Sequence, residues 1–250
     1  PVTAKSVEDT AFYVYNRLVS LNEVGCDPET FGFGVSAFHG ASQDRAENWP
    51  HNMLATSTHD SKRSEDVRAR ISVLSEIPSA WRQSVSRLSR AARSFRRPLD
   101  GEPAPSRNDE YLFYQTLVGT WPLAPMDDNA LAAYRERMRA YMIKAARESK
   151  QRTSWISIDQ AYETALAEFV EGLLRSRERN PFVAEIEALT QRVGWLGMLN
   201  SLSAVLLKFA SPGVADLYQG HERWNLTLVD PDNRGAVDFA GRAALLERLR

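Results

Sequence analysis

Leu54-Ala55-Thr56-Ser57-Thr58-His59-Asp60-Ser61-Lys62-Arg63-Ser64-Glu65-Asp66 is the stretch on which the fold turns. Residues 54–58 are short and Thr-rich, as a β-strand requires. A His-Asp pair follows at once. Polar residues then run into a segment with Val67, Ile71 and Leu74 on one helical face. Strand, polar loop and helix make up the repeating unit of β/α barrels, and barrel enzymes keep reacting groups at the C-terminal ends of strands. His59 and Asp60 occupy such a place. A plainer reading of the same residues is that Asp60 caps the helix and Lys62 to Asp66 form a solvated first turn.

Working outward, a second strand is predicted at Val214–Tyr218, after Ser211-Pro212-Gly213 and before Gly220. Phe31 to Phe38 reads as a Gly-rich loop. The chain has 250 residues, which matches a whole barrel in length. Two credible strands are far short of eight, so that match is coincidental. The long interval between the strands reads as helix, and an insertion of that size forms a helical subdomain. Helices are predicted over 5–20, over 61–77, and after Pro78 with Trp81, Val85, Leu88, Ala92 and Phe95 on one stripe. The Pro98 to Pro105 cluster breaks the pattern. Asn108 or Asp109 caps the next helix, Asp127-Asp128 and Asp159 begin two more, and Pro181 opens another. Leu196 to Phe209 is almost entirely apolar and is predicted to be well buried.

Thirty-one basic residues balance 32 acidic ones, which argues against a nucleic-acid partner. A 43% hydrophobic and 25% charged composition is that of an ordinary globular protein. The single Cys26 excludes an intrachain disulfide and fits a reducing, cytoplasmic setting. No uninterrupted apolar run approaches the roughly 20 residues that span a bilayer, so no membrane partner is expected. No basic stretch followed by an apolar one opens the sequence, so no secretory signal is expected, and the first residue, Pro1 in place of Met, reads as the mark of a piece of a longer chain.

Histidines 39, 51, 59 and 221 lack zinc-ligand spacing, and no phosphate-binding glycine motif occurs; neither metal nor cofactor is expected. Tyr218, Gln219 and Glu222 suit hydrogen bonding to a polyhydroxylated ligand. Asp230-Pro231-Asp232-Asn233-Arg234 reads as a turn, which leaves room for an Asp230–Arg234 ion pair. Lys5 to Tyr13 with Asn22-Glu23 reads as an amphipathic helix with charged flanks. Trp49, Trp155 and Trp224 are either sugar-stacking platforms or core.

Several blocks together carry a resemblance. They are Ala4 to Tyr13, Ser20 to Gly25, Trp49-Pro50, Ala55 to Arg70, Thr153-Ser154-Trp155, Ser211-Pro212-Gly213 and Leu228 to Arg234. In this order they resemble the maltooligosyltrehalose synthases of the α-amylase superfamily of glycoside hydrolases. The resemblance runs from Pro1 to about Asp238. It implies conversion of the reducing-end α-1,4 bond of a maltooligosaccharide into an α,α-1,1 bond by a retaining double displacement. It assigns Asp60 as the third superfamily carboxylate and His59 as its sugar-binding neighbour. Lys62, Asp230 and Arg234 would grip the acceptor glucose, with Lys5 and Glu8 on the same rim. Ser6, His221, Asn225 and Gly235 depart from the family pattern.

On that resemblance the fold is mainly α with a few β-strands: the last two strands of a (β/α)8 barrel with a large inserted helical subdomain. Residues 1–60 would lead to the seventh strand, 61–192 form the insertion, and 193–250 carry the eighth strand. The nucleophile and acid/base carboxylates match nothing here, so the rest of a parent chain is needed and this piece is expected to be inactive alone. Two other readings stay open: a non-catalytic helical carbohydrate-binding module, and part of a hydrolytic amylase relative.

Overall fold

The computed structural model describes Val2 and residues 4–250. After short single-turn helices, the chain forms α1 (Val35–Asn48), β1 (Met53–Leu54), α2 (Glu65–Ser72) and α3 (Pro78–Ala91). A small hairpin follows, β2 (Arg97–Leu99) with β3 (Glu102–Ala104). Four longer helices come next: α4 (Arg107–Thr120), α5 (Asp128–Ser149), α6 (Gln160–Leu173) and α7 (Pro181–Ala210). Then come β4 (Val214–Ala215) and α8 (Phe239–Leu249).

The helix starts have local causes. Ser64, Ser106, Asp127, Asp159 and Asn180 each accept an otherwise orphaned backbone N–H of the first turn. Pro78 and Pro181 sit in the first turn, where a missing N–H costs nothing. Helix α2 lies against both α4 and α7, and α5 pairs with α6. Val67 and Ile71 of α2 are fully buried against the small Gly119 of α4. Phe113 and Phe182 stack with ring centroids 6.3 Å apart, joining α4 to α7. Burying each such side chain contributes about 1.5–3 kcal/mol, so these helices define the core.

The two expected strands are neighbours. β1 and β4 run parallel with Met53 opposite Val214 and Leu54 opposite Ala215. Parallel pairing of strands so distant in sequence requires a long crossover, here the helical segment itself. Gly213 enters β4 at φ +131°, and a Cβ there would lie 2.8 Å from the Asn52 carbonyl, so only glycine lets the strands meet. Both strands are shorter than predicted.

Other expectations change. Residues 5–20 are not one helix; single turns at Ala4–Glu8, Ala11–Tyr13 and Val19–Leu21 replace it. Buried side chains take over the backbone here: Asn22 donates to the Phe12 and Tyr15 carbonyls, and Gln115 binds the Val19 N–H and the Asn16 carbonyl. The Gly-rich loop ends at Gly34, where the unpredicted α1 begins. The Pro98–Pro105 break contains the hairpin, turned by Asp100 and Gly101 at positive φ. Ser106, not Asn108 or Asp109, caps α4. The C-terminal half of α7 is not well buried. Trp195, Leu199, Leu202, Leu206 and Phe209 form one exposed stripe. By length and composition α7 is apolar enough to cross a membrane, with a mean hydropathy of 1.4 over its best window. Its other face packs on α2, α3 and α4.

Candidate functional site

Past β1 the chain turns sharply. Thr58 accepts from the Asp60 N–H, while its own N–H reaches Ser61 Oγ at 2.8 Å. This turn lifts His59 and Asp60 into solvent, with side chains 64% and 67% exposed. The helix cap is Ser64, whose Oγ accepts from Val67, so Asp60 does not cap α2. Among the described residues, the Asp60 carboxylate accepts no hydrogen bond. The His59 Nε2 lies 3.6 Å from it. The Asp60 carboxylate thus keeps its acceptor capacity for a ligand.

Lys62 lies on the other side of the turn and is nearly buried, its side chain 7% exposed. Its Nζ donates to Asp9 Oδ1 at 2.7 Å, and Lys5 Nζ donates to the other Asp9 oxygen at 2.6 Å. Burial pushes the Asp9 carboxyl up, but the two lysine hydrogen bonds and charges outweigh it and hold it below its usual range. The hydrogen bond to Asp9 raises Lys5. Glu8 lies on the same segment and accepts from the Gly25 N–H at 3.2 Å. Lys5, Glu8 and Lys62 therefore belong to one connected rim.

Asp230 and Arg234 pair at 2.7 Å, both side chains near half-exposed. Their loop is fixed by Asp232, which takes a forked bond from Arg137 and the Leu228 N–H at 2.7 Å. Lys144 donates to the Asp230 carbonyl. Asn233 donates to the His59 carbonyl at 2.8 Å, tying this loop to the His59–Asp60 turn. A further stitch runs beside it: Ser64 N–H to the Thr227 carbonyl at 3.0 Å and a bridge between Arg63 and Leu228. His59, Asp60, Lys62, Asp230, Arg234, Lys5 and Glu8 thus lie on two loops and one short N-terminal segment, joined through Asn233 and Asp9.

Three organising residues were given no role at the site. Asp9 holds both lysines. Asn233 joins the loops, although the sequence marks it only as a turn residue. Glu23, almost fully buried, accepts the N–H groups of Lys62 and Arg63 at 2.8 and 3.1 Å and so shapes the chain just past Asp60. Buried carboxylates that bind backbone amides have no local sequence signature. Glu222 is taken by Arg242 at 2.8 Å, and the Tyr218 hydroxyl by the Asn233 carbonyl at 3.3 Å. The departing residues are largely occupied too. His221 is buried against the Tyr218 ring, 3.7 Å from Glu65, and Asn225 closes its own turn on Thr227. Trp49, Trp155 and Trp224 are 67%, 51% and 53% exposed, so none is core. Among the described residues, no group of three or more His, Cys, Asp or Glu side chains could hold a metal ion.

No family model matches the chain. A putative maltooligosyl trehalose synthase of Mycobacterium tuberculosis is 40% identical over 249 residues, covering the whole of this chain and 30% of that protein. The solved maltooligosyltrehalose synthase from Arthrobacter ramosus is 42% identical with a TM-score of 0.85, over 99% of this chain and 30% of that one. A Sulfolobus tokodaii structure described as a hypothetical maltooligosyl trehalose synthase is 37% identical with a TM-score of 0.81, over 94% of this chain and 31% of that one. The chain therefore spans about 30% of the length of the relatives it matches. The resemblance read from the sequence is shown: along its whole length, this chain is similar in sequence and in fold to part of the maltooligosyltrehalose synthases.

Proposed function

We propose that the chain is part of an enzyme that isomerises the reducing end of a maltooligosaccharide, turning its last α-1,4 bond into an α,α-1,1 bond. The observation that carries this reading is the Asp60 carboxylate, exposed beyond a parallel strand and without a hydrogen-bond partner among the described residues, with Lys62 two residues on and the Asp230–Arg234 pair tied in through Asn233. Retaining glycoside chemistry uses one carboxylate as nucleophile and another as acid and base. Asp60 is assigned to neither role. It stabilises the positive charge that develops on the sugar and binds its hydroxyl groups, with His59 beside it.

Transfer instead of hydrolysis needs the freed glucose to be held while it turns and attacks through its own anomeric hydroxyl, and it needs water kept out. Lys62, Lys5, Glu8, Asp230 and Arg234 supply charged donors and acceptors for that grip. This favours transfer over the hydrolytic alternative.

We read β1 and β4 as the seventh and eighth strands of a barrel. Residues 61–192 then form the insertion, and α7 carries the chain back to the second strand. The exposed α7 stripe and the open edges of β1 and β4 would be covered by the rest of a parent chain, which also supplies the other two carboxylates. The chain alone is then inactive. The setting is cytoplasmic and the partner a neutral linear glucan, with no metal or cofactor in the reaction. Product analysis with maltopentaose tests the reading. The full-length enzyme should form trehalose-ended product and the 250-residue chain none; trehalose-ended product from the chain alone would contradict it.

A further inference from the structure

Asp9 binds two lysines that approach from different parts of the chain. Lys5 is one helical turn away, whereas Lys62 is 53 residues distant. Each takes a separate carboxylate oxygen. An ammonium has three N–H donors, and among the described residues the Lys62 ammonium donates only to Asp9. The others are left for a ligand. Lysine is a flexible four-carbon tether, so its head group is placed only as well as its partner places it.

The partner is itself anchored. The Asp9 N–H donates to the Ala4 carbonyl at 2.8 Å, and Thr10 Oγ1 donates to the Lys5 carbonyl at 2.8 Å. Lys150, at the end of α5, donates to Thr10 Oγ1 at 2.8 Å and fixes this segment to the helical part. Without the Asp9 charge, two ammonium groups would face each other, one of them nearly buried with no counter-ion.

We propose that Asp9 is a positioning residue: by holding Lys5 and Lys62 on its two oxygens, it fixes the donors that grip the acceptor glucose and so sets the partition between transfer and hydrolysis. The inference rests on the transfer reading given under Proposed function. In both outcomes the bond between the sugar's anomeric carbon and the nucleophilic carboxylate breaks. In transfer the new bond goes to the anomeric oxygen of the freed glucose, and in hydrolysis to a water oxygen. In either case the departing proton goes to the acid/base carboxylate. Asp9 touches neither reacting atom and acts only through the lysines.

The test compares wild type, Asp9→Asn and Asp9→Glu in the full-length enzyme. Trehalose-ended product and free glucose are measured together, with lysine acetylation at a fixed pH read by mass spectrometry. Asp9→Asn should lower the transfer-to-hydrolysis ratio about tenfold, the worth of one charge-assisted hydrogen bond, and speed labelling of Lys5 and Lys62. Asp9→Glu should recover part of the ratio. A folded Asp9→Asn enzyme that loses rate equally in both products, or labels as wild type does, overturns the inference and leaves the transfer reading standing. A wild-type enzyme that yields only glucose overturns both.

Discussion

The Asn233 side chain donates to the backbone carbonyl of His59 at 2.8 Å, so the loop carrying Asp230 and Arg234 is joined directly to the turn carrying Asp60. The two residues are 174 positions apart. This amide is the tie nearest Asp60, and the Ser64–Thr227 hydrogen bond and the Arg63–Leu228 bridge support it from beside. Asn233→Ala should cut transfer by about three- to tenfold, the worth of roughly one hydrogen bond, while the substrate's far end binds as before. Initial rates over a range of maltooligosaccharide concentrations would show it, and an unchanged kcat/KM would dismiss the coupling.

Glu23 is the support under the other side of the site. Glu23→Ala leaves the Lys62 and Arg63 amides without their acceptor in a buried place. The predicted loss is about 2–4 kcal/mol of stability, with activity falling in parallel. Thermal unfolding of the variant and wild type, with activity assayed below both midpoints, checks it.

Glu65 is held low, at about 2. Burial opposes this, but the His221 ring 3.7 Å away, the hydrogen bond from Thr56 and the charge of Lys208 outweigh it. A folded-state value below the unfolded one adds stability that is present above pH 4.5 and is lost as pH falls toward 2. Asp66 next to it is pushed up by burial and acts in the opposite sense. The informative quantity is therefore the difference between wild type and Glu65→Gln. That difference should shrink as pH falls from 5 toward 2, as urea unfolding at several pH values would reveal; a constant difference would rule out the linkage.

The α7 stripe of Trp195, Leu199, Leu202, Leu206 and Phe209 is a large exposed apolar surface. Expressed alone, the chain should self-associate through it. Leu202→Gln with Leu206→Gln should shift the chain toward monomer in sedimentation. If the chain is monomeric without these changes, the stripe does not drive association.

That same helix shows where sequence reading stops. The Pro181 start was legible because proline and a capping side chain are local signals. Which face of an apolar helix is covered depends on partners that a local pattern does not contain, and here the stripe from Trp195 to Phe209 has none among the described residues. Residues 5–20 show the opposite case. Their helical spacing is real, but buried Asn22 just past the segment and Gln115, 99 residues from Asn16, claim the backbone. The hairpin at Asp100-Gly101 carried a readable turn signal that the surrounding prolines masked. At the site, the exposed Asp60, Asp230 and Arg234 were singled out through the family resemblance, while the long-range hydrogen bonds of Asp9, Glu23 and Asn233 emerged only from the fold. Chemistry leaves its mark on residue types; positioning is written in long-range hydrogen bonds.

The central claim is that Asp60 stabilises the reacting sugar, and the most direct test is turnover of maltopentaose by the full-length enzyme carrying Asp60→Ala. The predicted result is a fall in kcat of about 10²–10³, as for the loss of one preorganised electrostatic contact, with folding intact. Near-wild-type turnover in a folded Asp60→Ala enzyme would contradict the account.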